Sequence, residues 1–433
     1  MSDRLKFFLL FAAFYVFRCY FGFSQPLFST DELQTYLIGL KFYCGGGWPY
    51  FGPDLIVTET GFYTQIPGAL EALLIGLPFY LLPIPEAPFL LLNFLSLSAL
   101  AFLSKYISLR VTRIPLWFIF SWICFLPWTL FESTHMNNLC YVLFGGVLFF
   151  IGFMEAMPSL SLGWIRVPRA FGLMGFGLFW CMQFHFSWVL LPPFVAIAFW
   201  ARRGKGEGLL SGGAFLLGAL PPVLLLIPTL LQFGWSKVLG GGGTTQWFPL
   251  SNILAFFTIL LRYFSLACHE TIRFLGINHE ERQAFYRNAL WLDPPAFFLI
   301  VAGWVQVALL LAHGWMLRRG NEKPVVSLVF GGFLLVYASF WFTSKEPLAH
   351  IYYVLMPVVL VYSFVVWNRL AGKKLWKTLG ILCLAASFWL DTGILTRHLN
   401  SFPALYGNRD LAAKAVTEKN YHLLGERRPG SAN

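Results

Sequence analysis

Blocks in which almost every position is apolar alternate with short polar gaps along most of the chain. They run over about 5–23, 88–104, 114–131, 138–154, 168–183, 187–200, 209–231, 296–316, 325–342, 350–367 and 376–394. A helix that crosses a bilayer takes about 20 predominantly apolar residues, and lipid offers an unpaired backbone group no partner, so each block is predicted as a helix. A barrel would instead alternate polar and apolar positions in strands of about ten residues. The pattern therefore predicts an all-α polytopic membrane protein of about eleven transmembrane helices. No small-residue cleavage site follows Phe23, so the first block reads as an uncleaved span rather than a secretory signal.

One further segment, 66–85, is apolar enough to count as a crossing, but it holds Pro67, Pro78, Pro83 and Glu71. The basic residues decide how to read it. They gather in alternate gaps: Lys105, Arg110 and Arg113; Arg166 and Arg169; Arg202, Arg203 and Lys205; Arg318, Arg319 and Lys323; Arg369, Lys373, Lys374 and Lys377. With Arg4 and Lys6 these make more than half of the 31 Lys and Arg residues. Counting 66–85 as a span would turn every later basic gap outward. It is predicted instead as a re-entrant or interface-lying helix, with the N-terminus and the basic gaps cytoplasmic and the C-terminus outside. The membrane domain then covers 1–394, with a first outer loop at 24–87, a large outer loop at 232–295 and an outer tail at 395–433. Most acids, and every histidine except His313, fall on that outer face. Chemistry is expected there.

Composition agrees with this picture and narrows it. Only 12% of residues are charged and 58% are hydrophobic, against about 25% charged in an ordinary soluble domain. The formal charge of +11 is spent on topology, and nothing points to nucleic acid. The seven cysteines form no CxxC pair; most lie inside apolar blocks as small core residues. Cys44 and Cys268 fall in aqueous segments, as unpaired thiols or as a disulfide.

After the first block comes Ser29-Thr30-Asp31-Glu32 followed by Leu33, Tyr36, Leu37 and Leu40. Ser29 and Glu32 have capping-box spacing, and the apolar positions repeat at i, i+3, i+4 and i+7, which predicts a short amphipathic helix on the membrane surface. Asp31 falls in its first turn, where the helix dipole favours an ionised carboxylate. It reads either as a helix-start residue or as a base. An irregular stretch, Gly45-Gly46-Gly47-Trp48-Pro49-Tyr50-Phe51-Gly52-Pro53-Asp54, follows. No GK[ST] follows those glycines, so they are not a phosphate loop.

A first span followed by Asp-Glu, a Tyr shortly after, a Gly-Trp-Pro-Tyr stretch and a Pro-containing outer helix resembles the lipid-linked-sugar glycosyltransferases of the C-type fold. The likeness is to the dolichyl-phosphate-mannose protein mannosyltransferase-like group and its bacterial aminoarabinose transferase-like relatives. Cys181-Met182-Gln183-Phe184-His185, Pro347-Leu348-Ala349-His350-Ile351-Tyr352-Tyr353 and Tyr406-Gly407-Asn408 are similar to later turns of that family. The resemblance implies a bacterial inner-membrane enzyme. It would transfer a sugar from a polyprenyl-phosphate donor to a lipid, protein or glycan acceptor on the non-cytoplasmic face, with Asp31 as the base. Two departures stand out. Gln65-Ile66-Pro67 replaces a Pro-Pro pair, and Glu132-Ser133-Thr134-His135 stands where many members carry Asp. Glu32 and Glu132 are the other candidate catalytic acids.

Such a transfer needs a base aimed at the acceptor and cations on the departing phosphate. Lys345, Arg262, Arg273, His185 and His350 are the candidates, each also readable as a snorkelling or satisfied interface residue. No cofactor is expected. A divalent metal at His135, His185 and His350 would lack any HxxxH or HExxH pairing. The competing reading is a transporter or flippase for a lipid-linked or polyol substrate, which would bury ionisable residues within facing spans; a third is a non-catalytic assembly factor, for which Asp31 would be dispensable.

Overall fold

The computed structural model describes residues 3–24, 30–57, 63–137, 139–203, 208–238, 248–275, 283, 287, 289–343, 347–401 and 409–424; near several edges of these stretches only the backbone is described. Among them, seven helices are long and apolar enough to cross a membrane. They are α1 (Asp3–Ser24), α4 (Ala87–Arg110), α10 (Gly208–Val238), α13 (Asp293–Leu317), α14 (Lys323–Ser339), which runs on through a 3₁₀ turn to Phe342, α15 (Met356–Leu370), which is entered through a 3₁₀ stretch and spans the membrane length from His350, and α16 (Lys374–Ser401). The chain is an integral membrane protein of helical fold.

The expected count of eleven is not reached on this criterion. Block 114–131 is a bent pair, α5 (Leu116–Cys124) and α6 (Pro127–Thr134), set at 61°. The break has a local cause: Leu126 precedes a proline and is held extended at φ −65°, ψ 122°. Blocks 138–154, 168–183 and 187–200 fold as α7 (Val142–Ala156), α8 (Val167–Met182) and, after a tight turn at Phe186–Leu190, α9 (Pro192–Arg202). At 1.5 Å per residue these span about 16–24 Å, short of a hydrocarbon core of about 30 Å. The segment 66–85 holds only a twelve-residue helix, α3 (Leu70–Leu81), about 18 Å long. It is too short for a straight crossing of the hydrocarbon core.

The first loop departs from an all-helical reading. α2 (Thr30–Tyr43) forms where the apolar periodicity predicts it, but an antiparallel hairpin then follows, β1 (Phe51–Val57) paired with β2 (Tyr63–Pro67) through two register shifts. α2 packs across α3 at Gly39 and Gly76, where an added Cβ on Gly39 would lie 2.4 Å from Ile75.

The bundle is built round α7, buried along almost its whole length. α8 lies between α7 and α10, with small residues at the crossings as in membrane helix pairs generally. An added Cβ on Gly177 would meet the Gly145 carbonyl at 2.5 Å, and one on Gly218 the Gly172 carbonyl at 2.0 Å. The tail does not trail away. α17 (Arg409–Thr417) and Tyr421–Leu424 return to the hairpin end of the bundle, where Arg409 pairs with Glu86 at 2.6 Å and Lys419 lies over the Tyr43 ring. All seven cysteines are unpaired, so Cys44 and Cys268 form no bridge.

Candidate functional site

The hairpin end gathers residues from far apart in the chain. Its collecting point is the segment Pro347–Tyr353, which enters α15 through a short 3₁₀ stretch. Arg262, near the end of α12 (Phe256–Phe264), which follows the short helix α11 (Leu250–Leu254), donates through Nη1 to the Pro347 carbonyl. Its Nε and Nη2 also bind Glu270 Oε1, at 2.9 and 2.6 Å. His350 sits edge-on to His185, ring centroids 6.1 Å apart. Tyr352 and Tyr353 are buried, packed against Trp128 of α6, and Tyr353 lies within electrostatic range of Glu132. Four of the sequence-derived candidates, Glu132, Arg262, His185 and His350, thus meet around one segment.

The geometry revises two of those roles. Arg262 is a phosphate candidate by sequence, yet its guanidinium is already occupied by Glu270, so a lipid phosphate would have to displace or share that carboxylate. His185 is named as a cation and is not one: burial drives its pKa down to about 4. Its Nδ1 accepts a hydrogen bond from the Ser187 backbone N–H at 3.1 Å, which leaves the proton on Nε2 and makes the ring a neutral donor. His135 is likewise depressed to about 4 by burial, with Nδ1 2.6 Å from the Phe131 carbonyl. Among the described residues no group of three or more His, Cys, Asp or Glu side chains is arranged to hold a metal ion.

Asp31 occupies the first turn of α2 as expected, although its side chain lies outside the described residues. Glu32, beside it, is buried and engaged. Lys345, the Arg273 side chain and Tyr406-Gly407-Asn408 fall outside the described residues.

Sequence reasoning missed Glu71. Here it served only to argue against a span, whereas in the fold it stands in the first turn of α3 with its side chain 1% exposed and neither carboxylate oxygen hydrogen-bonded. Burial holds its carboxyl well above the ordinary carboxylate range. The available signal was a lone acid inside an apolar stretch, which in a membrane protein marks function by default.

No protein-family model, no curated protein and no solved structure matches this chain.

Proposed function

We propose that the protein is an integral-membrane glycosyltransferase that moves a sugar from a polyprenyl-phosphate donor to an acceptor hydroxyl or amine on the non-cytoplasmic face. The observation that carries this reading is the convergence of Glu132, Arg262, His185 and His350 round Pro347–Tyr353, at the end of the bundle that also holds α2. A carboxylate at a helix start, a guanidinium and a neutral imidazole donor are the groups an inverting transfer asks for: a base on the acceptor and hydrogen-bond donors on the leaving phosphate. Asp31 is the base in this scheme, and Lys345, two residues before Pro347, the cation nearest the departing phosphate.

The deciding experiment replaces Asp31 with Asn, a nearly isosteric change that removes only the proton acceptor. Transfer from a polyprenyl-phosphate sugar should fall by about 10²-fold or more at matched membrane abundance, with donor binding kept. Full activity in a folded Asp31→Asn protein would refute the assignment. Lys345→Ala should lower turnover by about 10²-fold, as loss of one preorganised electrostatic donor does, and Lys345→Arg should restore part of it.

One observation favours the runner-up, a transporter or flippase. Arg18 of α1 is buried and bonded to Ser96 and Ser133. Asp391 of α16 is buried within electrostatic range of it, with neither carboxylate oxygen hydrogen-bonded. Facing helices with buried ionisable residues are what a transport path requires. If Arg18 and Asp391 serve transport, their neutral variants abolish it while Asp31→Asn leaves it intact. The transferase reading expects the reverse.

A further inference from the structure

Glu71 is not alone in lacking a partner. Gln183 Oε1 and the Tyr141 hydroxyl are buried without a hydrogen bond as well; Glu71, Tyr141 and Gln183 are each only 1% exposed. These groups form one neighbourhood. Gly52 of β1 passes so near Glu71 that an added Cβ would stand 3.0 Å from its Oε2, and Gly68, three residues before Glu71, would place a Cβ 2.2 Å from Gln183 Oε1. The Glu71 carboxyl lies within electrostatic range of the Tyr141 phenol. The Tyr141 ring packs 5.2 Å from Phe184, next in chain to Gln183. The Gln183 amide is fixed by its Nε2, which donates to the Pro222 carbonyl at 2.6 Å, so its oxygen is held in place as a bare acceptor. Gly68, at φ +107°, is the residue that lets the hairpin close over this oxygen, since an L side chain disfavours that conformation.

A buried polar atom without a partner forfeits its hydration with nothing in return, and native folds carry few of them. Several in one place call for a ligand that brings its own donors and acceptors. The set here is an amide acceptor, a phenol, and a carboxyl whose neutral form burial favours, so it is rich in hydrogen bonding and poor in charge. A phosphate finds no cation in it. A neutral ring bearing several hydroxyls matches it: each hydroxyl can donate to Gln183 Oε1 while accepting from the Glu71 carboxyl or Tyr141.

We propose that Glu71, Tyr141 and Gln183 form a binding subsite for an uncharged, hydroxyl-rich ring, with the Glu71 carboxyl acting as a hydrogen-bond donor rather than as a base. The inference rests on the transferase reading for its place in a reaction, where it would select the sugar or the acceptor glycan, but its physical content stands apart from catalysis.

A hydrophobic carbodiimide reacts with protonated carboxyls in apolar surroundings, and Glu155, buried in the same chain but saturated with hydrogen bonds, supplies an internal control. In the purified full chain, mass spectrometry should find Glu71 modified and Glu155 not, and Glu71→Gln should abolish that modification. Octyl β-glucoside should slow the labelling of Glu71 several-fold relative to octyl sulfate or octyl trimethylammonium at equal concentration. No labelling of Glu71, or equal labelling of both glutamates, overturns the neutral carboxyl; equal protection by all three amphiphiles, or by none, overturns the hydroxyl-rich ligand. Failure of Asp31→Asn to impair transfer would overturn the transferase reading and leave these labelling results standing.

Discussion

Glu155 and Glu71 are both fully buried glutamates of the membrane domain, at opposite ends of the bundle. Glu155, at the end of α7 among the basic gaps, accepts from Tyr106 at 2.9 Å, Ser161 at 3.2 Å and the backbone N–H groups of Leu162, Trp164 and Ile165 at 3.0, 3.0 and 3.4 Å. Arg110 completes that cluster by donating to Tyr106 and to the Leu160 carbonyl. Glu71, at the hairpin end, accepts nothing from the described residues. A carboxylate with five donors organises a turn and has no lone pair to spare for a ligand. A buried carboxyl with none is a burden on folding that a ligand would relieve. The basic end is built for stability, and the hairpin end holds its polar groups in reserve.

The strongest way to break this comparison is at Glu155. Glu155→Ala strands five donors that lose their shared acceptor, and although such bonds do not add, the cost should reach about 3–5 kcal/mol. The melting temperature in detergent should collapse, or the protein should fail to accumulate in membranes. A Glu155→Ala protein as stable as the parent would show that the basic end does not depend on its carboxylate.

Acid should expose the hairpin end next. His135 and His185 each have a folded pKa near 4 against an ordinary value of 6.5. The unfolded chain therefore binds more protons between these values, and stability falls as pH drops from about 6.5 towards 4. A shift of that size corresponds to at most about 3 kcal/mol per residue. Glu71 has the opposite sign: its raised pKa makes stability fall as pH rises above the ordinary carboxylate range. His185→Gln should flatten the acid limb of a melting-temperature profile, and Glu71→Gln the alkaline limb. Identical profiles in all three proteins would mean that these groups are hydrated.

Glu71 itself should behave as the reverse of Glu155. Glu71→Leu removes two unpartnered buried oxygens, so stability should hold or rise by about 1–3 kcal/mol while any ligand binding at the hairpin end is lost. A loss of stability would place a hidden partner beside Glu71 and remove the contrast on which the two ends are distinguished.

How far the chain reveals these differences can be followed residue by residue. α2 is legible because its apolar positions repeat with helical period, and the polytopic fold because lipid forces long apolar blocks to be helices. Blocks 138–154 and 168–183 mislead because hydropathy does not report where a helix begins: α7 starts only at Val142, after a turn at Leu139–Cys140. The hairpin is hidden by Gly52, Pro53 and Pro67, which signal a loop: Gly52 and Pro53 fall in the register shift between Phe51 and Asp54, and Pro67 ends β2 opposite Phe51. Glu155 and Glu71 look alike in sequence, each one acid beside an apolar run. Tyr106 and Tyr141, which tell them apart, are brought in by tertiary packing that no local pattern carries. Arg262 was visible as a cation, but its partner Glu270 sits eight residues on, beyond the helix that ends at Phe264.

The smallest effect belongs to the exposed charges of the basic end. Arg369 reaches Glu322 at 2.6 Å, but the two side chains are 46% and 30% exposed, where an ion pair gains little over hydration and contributes at most about 1 kcal/mol. The hydrogen bond from Arg369 lowers the Glu322 pKa, so what stability the pair adds is present above the ordinary glutamate range and is lost as pH falls through the lowered value. Arg369→Gln should therefore shift the melting temperature only slightly at low salt, and a few hundred millimolar salt should erase the difference, since screening acts within about 10 Å at 0.1 M. Glu155→Ala, with its donors buried, should keep its full penalty in the same salt. If salt instead rescued Glu155→Ala, or if Arg369→Gln destabilised the protein as much as Glu155→Ala, the basic end would be held by its surface charge rather than by one buried carboxylate.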